Sequence, residues 1–253
     1  MKNLKFAVAA LLGTLAAGLV SCDDDAVYYG PFYANALVTV KPNADNSDFY
    51  LQLDDTTTLK AVNMKRSPFG TKEVRALATL TESDAAAGEY DKAVFVHWID
   101  SLLTKEPVAD LGEKNAEVYG NDPVEIVRNW VTVAEDGYLT LRFRSLWDSY
   151  SGKKHIVNIV ASSDPATPYT LTFYHNANGD TRGVIGDGIV AFNLSRLPDT
   201  NGKEVNLTLK WNSFSGEKST VFKYCSRKAT AAPASDMIEG FEVDRERFVE
   251  MIE

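Results

Sequence analysis

Apolar and polar residues alternate with a period of two in short runs along most of this chain, and Gly, Pro, Asn and Asp punctuate the runs. A period of two places every second side chain on one face of a strand, whereas a helix needs apolar residues three and four apart. The pattern therefore predicts an all-β protein. In the first half it predicts five strands, over 34–41, 49–53, 58–64, 73–80 and 92–103. In the last, Val94, Val96 and Trp98 face one way and Phe95, His97 and Ile99 the other. Five short strands with bends between them fit a small closed barrel, because closure removes exposed strand edges.

The second half predicts about seven strands at the short spacing of an antiparallel β-sandwich. Asp136-Gly137 and Asn178-Gly179 read as hairpin turns, since both residue pairs accept positive φ. In the run 138–146, Leu139, Leu141 and Phe143 share one face, and Thr140, Arg142 and Arg144 the other. Gly186 and Gly188 interrupt the run 184–194 and mark a bulge or a close packing point. Along 104–125, charge, Gly and Pro concentrate, which places a domain boundary near residue 122. The resulting division is a barrel over 32–121 and a sandwich over 122–228. Residues 229–253 form an Ala- and Pro-rich linker and a weak amphipathic helix or tail, with Met237, Ile238, Phe241 and Phe248 at helical spacing.

The N-terminus has a separate logic. Lys2 and Lys5 precede an apolar run, 6–20, that ends in Ser21 and Cys22. This is the layout of a secretory signal, and the run is shorter than the roughly 20 residues of a membrane span. A small residue directly before Cys resembles a bacterial lipobox. That resemblance implies cleavage between Ser21 and Cys22 and acyl chains on Cys22. Residues 1–21 are then the signal, and 22–31 a tether carrying Asp23, Asp24 and Asp25. The expected location is the outer membrane, periplasmic or surface-facing.

Net charge is −9, and it falls to −11 once the signal takes Lys2 and Lys5 with it. So acidic a chain argues against a nucleic-acid partner, whose phosphates attract basic surfaces. Cys22 and Cys225 are the only cysteines. With Cys22 lipidated, Cys225 has no intrachain partner, and the core holds without disulfides.

Several runs resemble the NigD-like family of bacterial lipoproteins. In the first half they are Phe49-Tyr50-Leu51-Gln52-Leu53-Asp54-Asp55 and Trp98-Ile99-Asp100-Ser101-Leu102-Leu103-Thr104-Lys105. In the second half they include Trp130-Val131-Thr132-Val133-Ala134-Glu135-Asp136-Gly137-Tyr138 and Leu207-Thr208-Leu209-Lys210-Trp211. The resemblance implies an N-terminal OB-type barrel and a C-terminal β-sandwich. It brings no catalytic residues, only a bacteriocin-immunity role suggested by gene position.

The residues offer little chemistry of their own. His97, His155 and His175 lie on different strands without the close spacing of a zinc site, and read as packed or surface histidines. Asn176, Asn178 and Asp180 alternate like a calcium loop, but the sixth and twelfth positions are Thr181 and Asp187 rather than Gly and Glu. No metal and no cofactor is expected. Ser213-Phe214-Ser215-Gly216 does not match a nucleophile elbow. Asp54-Asp55 reads as a solvated turn. Tyr90, Trp98, Trp130, Trp147 and Trp211 could stack on a sugar, though such aromatics are more often core. The expected function is a lipid-tethered, non-enzymatic envelope module with an unknown protein or glycan partner, its membrane contact made by the acyl chains. The alternative is an immunity protein that blocks a toxin.

Overall fold

The computed structural model describes residues 34–148 and 150–227. The signal, the tether and the expected C-terminal helix fall outside these residues. Five strands, β1 (Ala36–Pro42), β2 (Phe49–Gln52), β3 (Thr58–Ala61), β4 (Val74–Glu82) and β5 (Lys92–Ser101), close into a barrel. The order is β1-β2-β3-β5-β4, and β4 pairs back onto β1. Val38, Val40, Leu51, Ala76 and Ala78 fill the interior.

One expected facing is corrected within β5. Thr79 pairs with Trp98 and Leu80 with Val96, so His97 is an extra residue in a bulge. One inserted residue exchanges the faces of everything after it. Val94 and Val96 belong to the barrel core with Ile99, while Trp98 packs outside it.

The sandwich comprises β6 (Thr104–Lys105), β7 (Glu125–Ile126), β8 (Val133–Glu135), β9 (Tyr138–Trp147), β10 (Ile156–Ala161), β11 (Thr170–Asn176), β12 (Val184–Asn193), β13 (Val205–Ser213) and β14 (Gly216–Tyr224). One sheet runs β10-β11-β13-β14. The other runs β6-β12-β9-β7, with β8 also paired to β9. Leu139, Leu141, Phe143 and Phe192 from one sheet meet Leu171 and Leu209 from the other. Two pairings, β11 with β13 and β6 with β12, are parallel. Because β6 already pairs with β12, and Val108 bridges Val160, the chain enters the sandwich directly after β5. The Gly- and Pro-rich stretch around residue 122 lies downstream of that passage and carries a 3-10 turn, Gly112–Lys114, and one short helix, α1 (Asn115–Tyr119).

The two Gly-containing turns behave differently. Asp136 and Gly137, at φ 46° and 74°, join Glu135 to Tyr138 in a two-residue hairpin, as expected. Asn178 and Gly179 adopt similar angles, 50° and 77°. They do not make a hairpin, because β11 and β12 lie in different sheets. The turn carries the chain across the sandwich instead.

The barrel sits on the outer face of β8 and β9. Leu37 and Leu77, side by side on β1 and β4, pack with Ala34 and Val131, and with Trp98, Leu102 and Ile189. Next to them Arg75 is fully buried at 0% exposure. Its guanidinium donates to Thr39 Oγ1 of the barrel at 3.1 Å, to Thr140 Oγ1 of the sandwich at 3.4 Å, and to the Glu135 carboxylate. It also lies 5.9 Å from the centre of the Tyr138 ring. A second set of bonds surrounds the Asp136 turn. The Asp136 carboxylate accepts from Lys41 Nζ at 2.8 Å and from Arg227 Nε at 2.8 Å. The Asp136 amide donates to Asp55 Oδ1 at 2.6 Å, and the Tyr138 hydroxyl donates to Glu73 at 2.8 Å.

Removing one member of a buried ion pair leaves the other charge without compensation, at a cost of about 3–5 kcal/mol. Arg75→Met should therefore lower stability by about that much. Arg75→Met combined with Glu135→Leu should recover a large part of the loss. Urea unfolding of the single and double variants measures both. A double variant no more stable than Arg75→Met would show that the charge of Glu135 is not what Arg75 compensates.

Candidate functional site

The barrel meets the sandwich around an open cleft of ≈ 450 Å³. Asp54, Asp55 and Thr56 enter it from the turn between β2 and β3. Residues 132–135 line it from the sandwich, with Phe222 and Lys223 of β14. A cleft of this size between two packed units is where a ligand site is first sought. The turn is rigid for a local reason. Asp54 Oδ1 accepts the amides of Thr56 at 2.8 Å and Thr57 at 2.7 Å, a side chain standing in for a backbone turn bond. Burial pushes the Asp54 carboxyl up, but these donors outweigh it and hold it below the ordinary range.

Glu135 goes the other way. Burial raises its carboxyl, the Arg75 guanidinium opposes this, and nearby Asp55 and Asp54 raise it further. The net direction is upward, which fits a carboxylate placed at the back of an acidic cleft. Arg75 and Glu135 were not among the expected site residues. A visible signal did exist, in an arginine inside the otherwise apolar run Val74-Arg75-Ala76-Leu77-Ala78.

A second polar cluster lies inside the sandwich. His155 and His175, read from the sequence as separate packed or surface residues, are neighbours, with His155 Nδ1 2.9 Å from His175 Nε2. His155 Nδ1 is also 3.4 Å from Ser145 Oγ, and its Nε2 is 3.4 Å from Asp180 Oδ2. The Asn178-Gly179 turn is what delivers Asp180 here. Asp180 also accepts from Ser151 Oγ at 2.7 Å and from the Asp148 amide at 3.2 Å. Burial pushes Asp180 up, and these donors together with His155 hold it below the usual carboxylate range.

The acceptors order the protons. A carbonyl can only accept, so His175 Nδ1–H donates to Asp122 O at 3.3 Å, and Nε2 accepts from His155 Nδ1–H. Ser145, His155 and Asp180 stand in the order of a hydrolytic triad, but His155 Nδ1, which faces Ser145, already carries the proton it donates to His175 and cannot take one from the hydroxyl. Their exposures are 5%, 3% and 6%, which leaves the hydroxyl no open approach for a substrate. The arrangement is a buried polar network.

The other expected residues are dispersed. Ser21 and Cys22 lie outside the described residues. His97 is exposed on the barrel, with Nε2 2.8 Å from Thr81 Oγ1. Asp187 pairs with Arg142 and Arg144. Ser213 Oγ donates to Gly216 O within the β13–β14 turn. Trp211 is core, Trp98 is part of the barrel–sandwich contact, and Trp130 is 48% exposed. Tyr90 stacks on Tyr50 with ring centres 5.4 Å apart. The expected aromatics do not converge on one surface. No group of acidic, His and Cys residues among those described could hold a metal ion.

Comparisons with known proteins agree with this architecture. Residues 37–102 match the family model of a NigD-like N-terminal OB domain, and residues 106–224 that of a NigD-like C-terminal beta sandwich domain. A solved structure of a Parabacteroides distasonis protein described as toxin-related is 35% identical, covering 76% of this chain and 92% of that one, with a TM-score of 0.61. A Bacteroides vulgatus protein of unknown function is 21% identical over 79% of this chain and 94% of its own, at a TM-score of 0.61. A NigD-like immunity protein from Bacteroides caccae is 21% identical over 75% and 95%, at 0.53. Comparison with curated protein sequences finds no match.

His175 supplies a test of the buried network. Burial, with His155 beside it, lowers its imidazole from the ordinary 6.5 to about 4. Between those values the unfolded chain binds a proton that the folded chain refuses. The contribution is therefore complete above pH 6.5 and lost as pH falls towards 4, an effect of about 3 kcal/mol. Urea midpoints at pH 7.5 and 4.5 should differ more in the natural protein than in His175→Gln. Equal differences would show that the folded protein takes up a proton at His175 as readily as the unfolded chain.

Proposed function

Because the chain belongs to the NigD-like family, we propose that it is a lipid-anchored protein of a Gram-negative cell envelope that acts by binding, without catalysis. The observation that carries the anchor is the charged start, the short apolar run and Ser21 directly before Cys22. One acyl chain holds a protein only marginally, while two make the attachment stable. Among the described residues no helix is long and apolar enough to cross a membrane, so the acyl chains on Cys22 are the anchor in this reading. The outer membrane is the proposed site, periplasmic or surface-facing.

Binding in place of catalysis is supported by the chemistry of the two polar sites. The cleft offers carboxylates, a lysine and the partly buried Phe222, a surface for a protein or glycan partner. The Ser145–His155–Asp180 alignment is closed off inside the sandwich. A second reading, a protein that blocks a bacteriocin, draws on the relatives described as toxin-related and as an immunity protein.

Metabolic labelling with an alkyne fatty acid should tag the natural protein and leave Cys22→Ser untagged and heavier by its uncleaved signal. An untagged natural protein overturns the anchor. The immunity reading predicts that deletion sensitises cells to a co-encoded toxin, and unchanged survival counts against it.

A further inference from the structure

The far end of β9 and β12 does not look like the end of a sandwich that stands free in water. The two strands pair through Trp147 and Val184. Paired residues share a face, so Trp147 and Val184 lie on the core-facing side with Ser145 and Gly186, and Leu146 and Ile185 lie on the outer side. Val184 is 69% exposed and Ile185 64%. Tyr150, in the loop that follows β9, is 96% exposed. Apolar side chains thus project from both faces of one strand end, where water would favour polar ones on at least one.

This end is held in place. The indole of Trp147 lies over Gly186, where a Cβ would meet it at 3.2 Å. The loop after Trp147 is tied down through the Asp148 amide and Ser151 hydroxyl on Asp180. Its charge also differs from that of the whole molecule. On a chain of net charge −9 it carries exposed Arg144, Lys153, Lys154 and Arg182. Of the acids nearby, Asp180 is buried and Asp187 is bonded to Arg142 and Arg144, which leaves Asp148 as the exposed one.

We propose that this end of the sandwich docks on an anionic lipid bilayer, with Val184, Ile185 and Tyr150 entering the interface and Lys153 and Arg182 against the headgroups. Interfacial binding of this kind draws on buried apolar area together with attraction to anionic lipid. Tyrosine suits the level of the headgroups. The surface has a use only if the lipid-anchor reading holds, and chain length allows both contacts at once. Residues 22–33 extend to about 40 Å at most. Ala34 shares a cluster with Ile189, and five residues of strand, about 17 Å, separate Ile189 from Val184.

The test uses the chain from Asp23 onward, which keeps every described strand and has neither signal nor acyl chains. It should sediment with vesicles of phosphatidylglycerol and phosphatidylethanolamine, far less with phosphatidylcholine alone, and less at high salt. Val184→Ser with Ile185→Ser, both exposed positions, should weaken this about tenfold with an unchanged melting temperature. A Tyr150→Trp probe should be quenched by brominated lipid. Failure of the unsubstituted chain to bind anionic vesicles overturns the proposal, as does equal binding by the double variant. A dimer in solution that the double variant dissociates would also overturn it, by assigning the surface to a second copy. Fatty-acid labelling of Cys22 is read separately, so loss of the anchor and loss of the docking surface are distinct results.

Discussion

The guanidinium of Arg75 is the constraint around which the molecule is built. A charge with no exposure must find its whole solvation inside the protein. Arg75 finds it half in the barrel, at Thr39, and half in the sandwich, at Thr140 and Glu135. Neither half could bury Arg75 alone with its bonds satisfied. The barrel and the sandwich therefore share one buried centre, and separating them would expose apolar Leu37 and Leu77 together with an ion pair.

The cleft is a consequence of that centre. Glu135 reaches inward to Arg75 from the end of β8, just before the Asp136 turn. The turn in turn binds Lys41 and Arg227 through its carboxylate and Asp55 through its amide. The Asp136 turn, bonded to Asp55 of the β2–β3 turn and to Arg227 beyond β14, sets the spacing between that turn and β14. The acidic lining follows from the same arrangement, because the carboxylates that bind the two halves together also face the gap. Structure and candidate function thus draw on the same residues.

The His155–His175 pair makes a different point about buried polar groups. Inside the sandwich each ring nitrogen has a partner, down to the carbonyl of Asp122 at one end and Asp180 at the other. Such networks are costly unless complete. Here completion depends on a turn that crosses between sheets, which also orders the loop beneath Tyr150. An Asn-Gly pair therefore serves here to place a carboxylate.

The class of fold, the order of barrel and sandwich, the Asp136-Gly137 hairpin and most strand facings could be read from the residues alone. These are local properties, written in a period of two and in residues that tolerate positive φ. The failures share a different cause. His97 reverses the facing of Trp98 because a bulge is settled by the partner strand β4. Thr39, Arg75, Thr140 and Arg142 look like the wet face of their strands, yet they are buried. Whether a polar face meets water or another domain is decided by what packs on it. His155, His175 and Asp180 touch because β10 pairs with β11 and the turn after β11 folds back beside them, a pairing that no local pattern announces. Alternation tells a side chain which face it takes, and only the tertiary structure decides what lies across from that face.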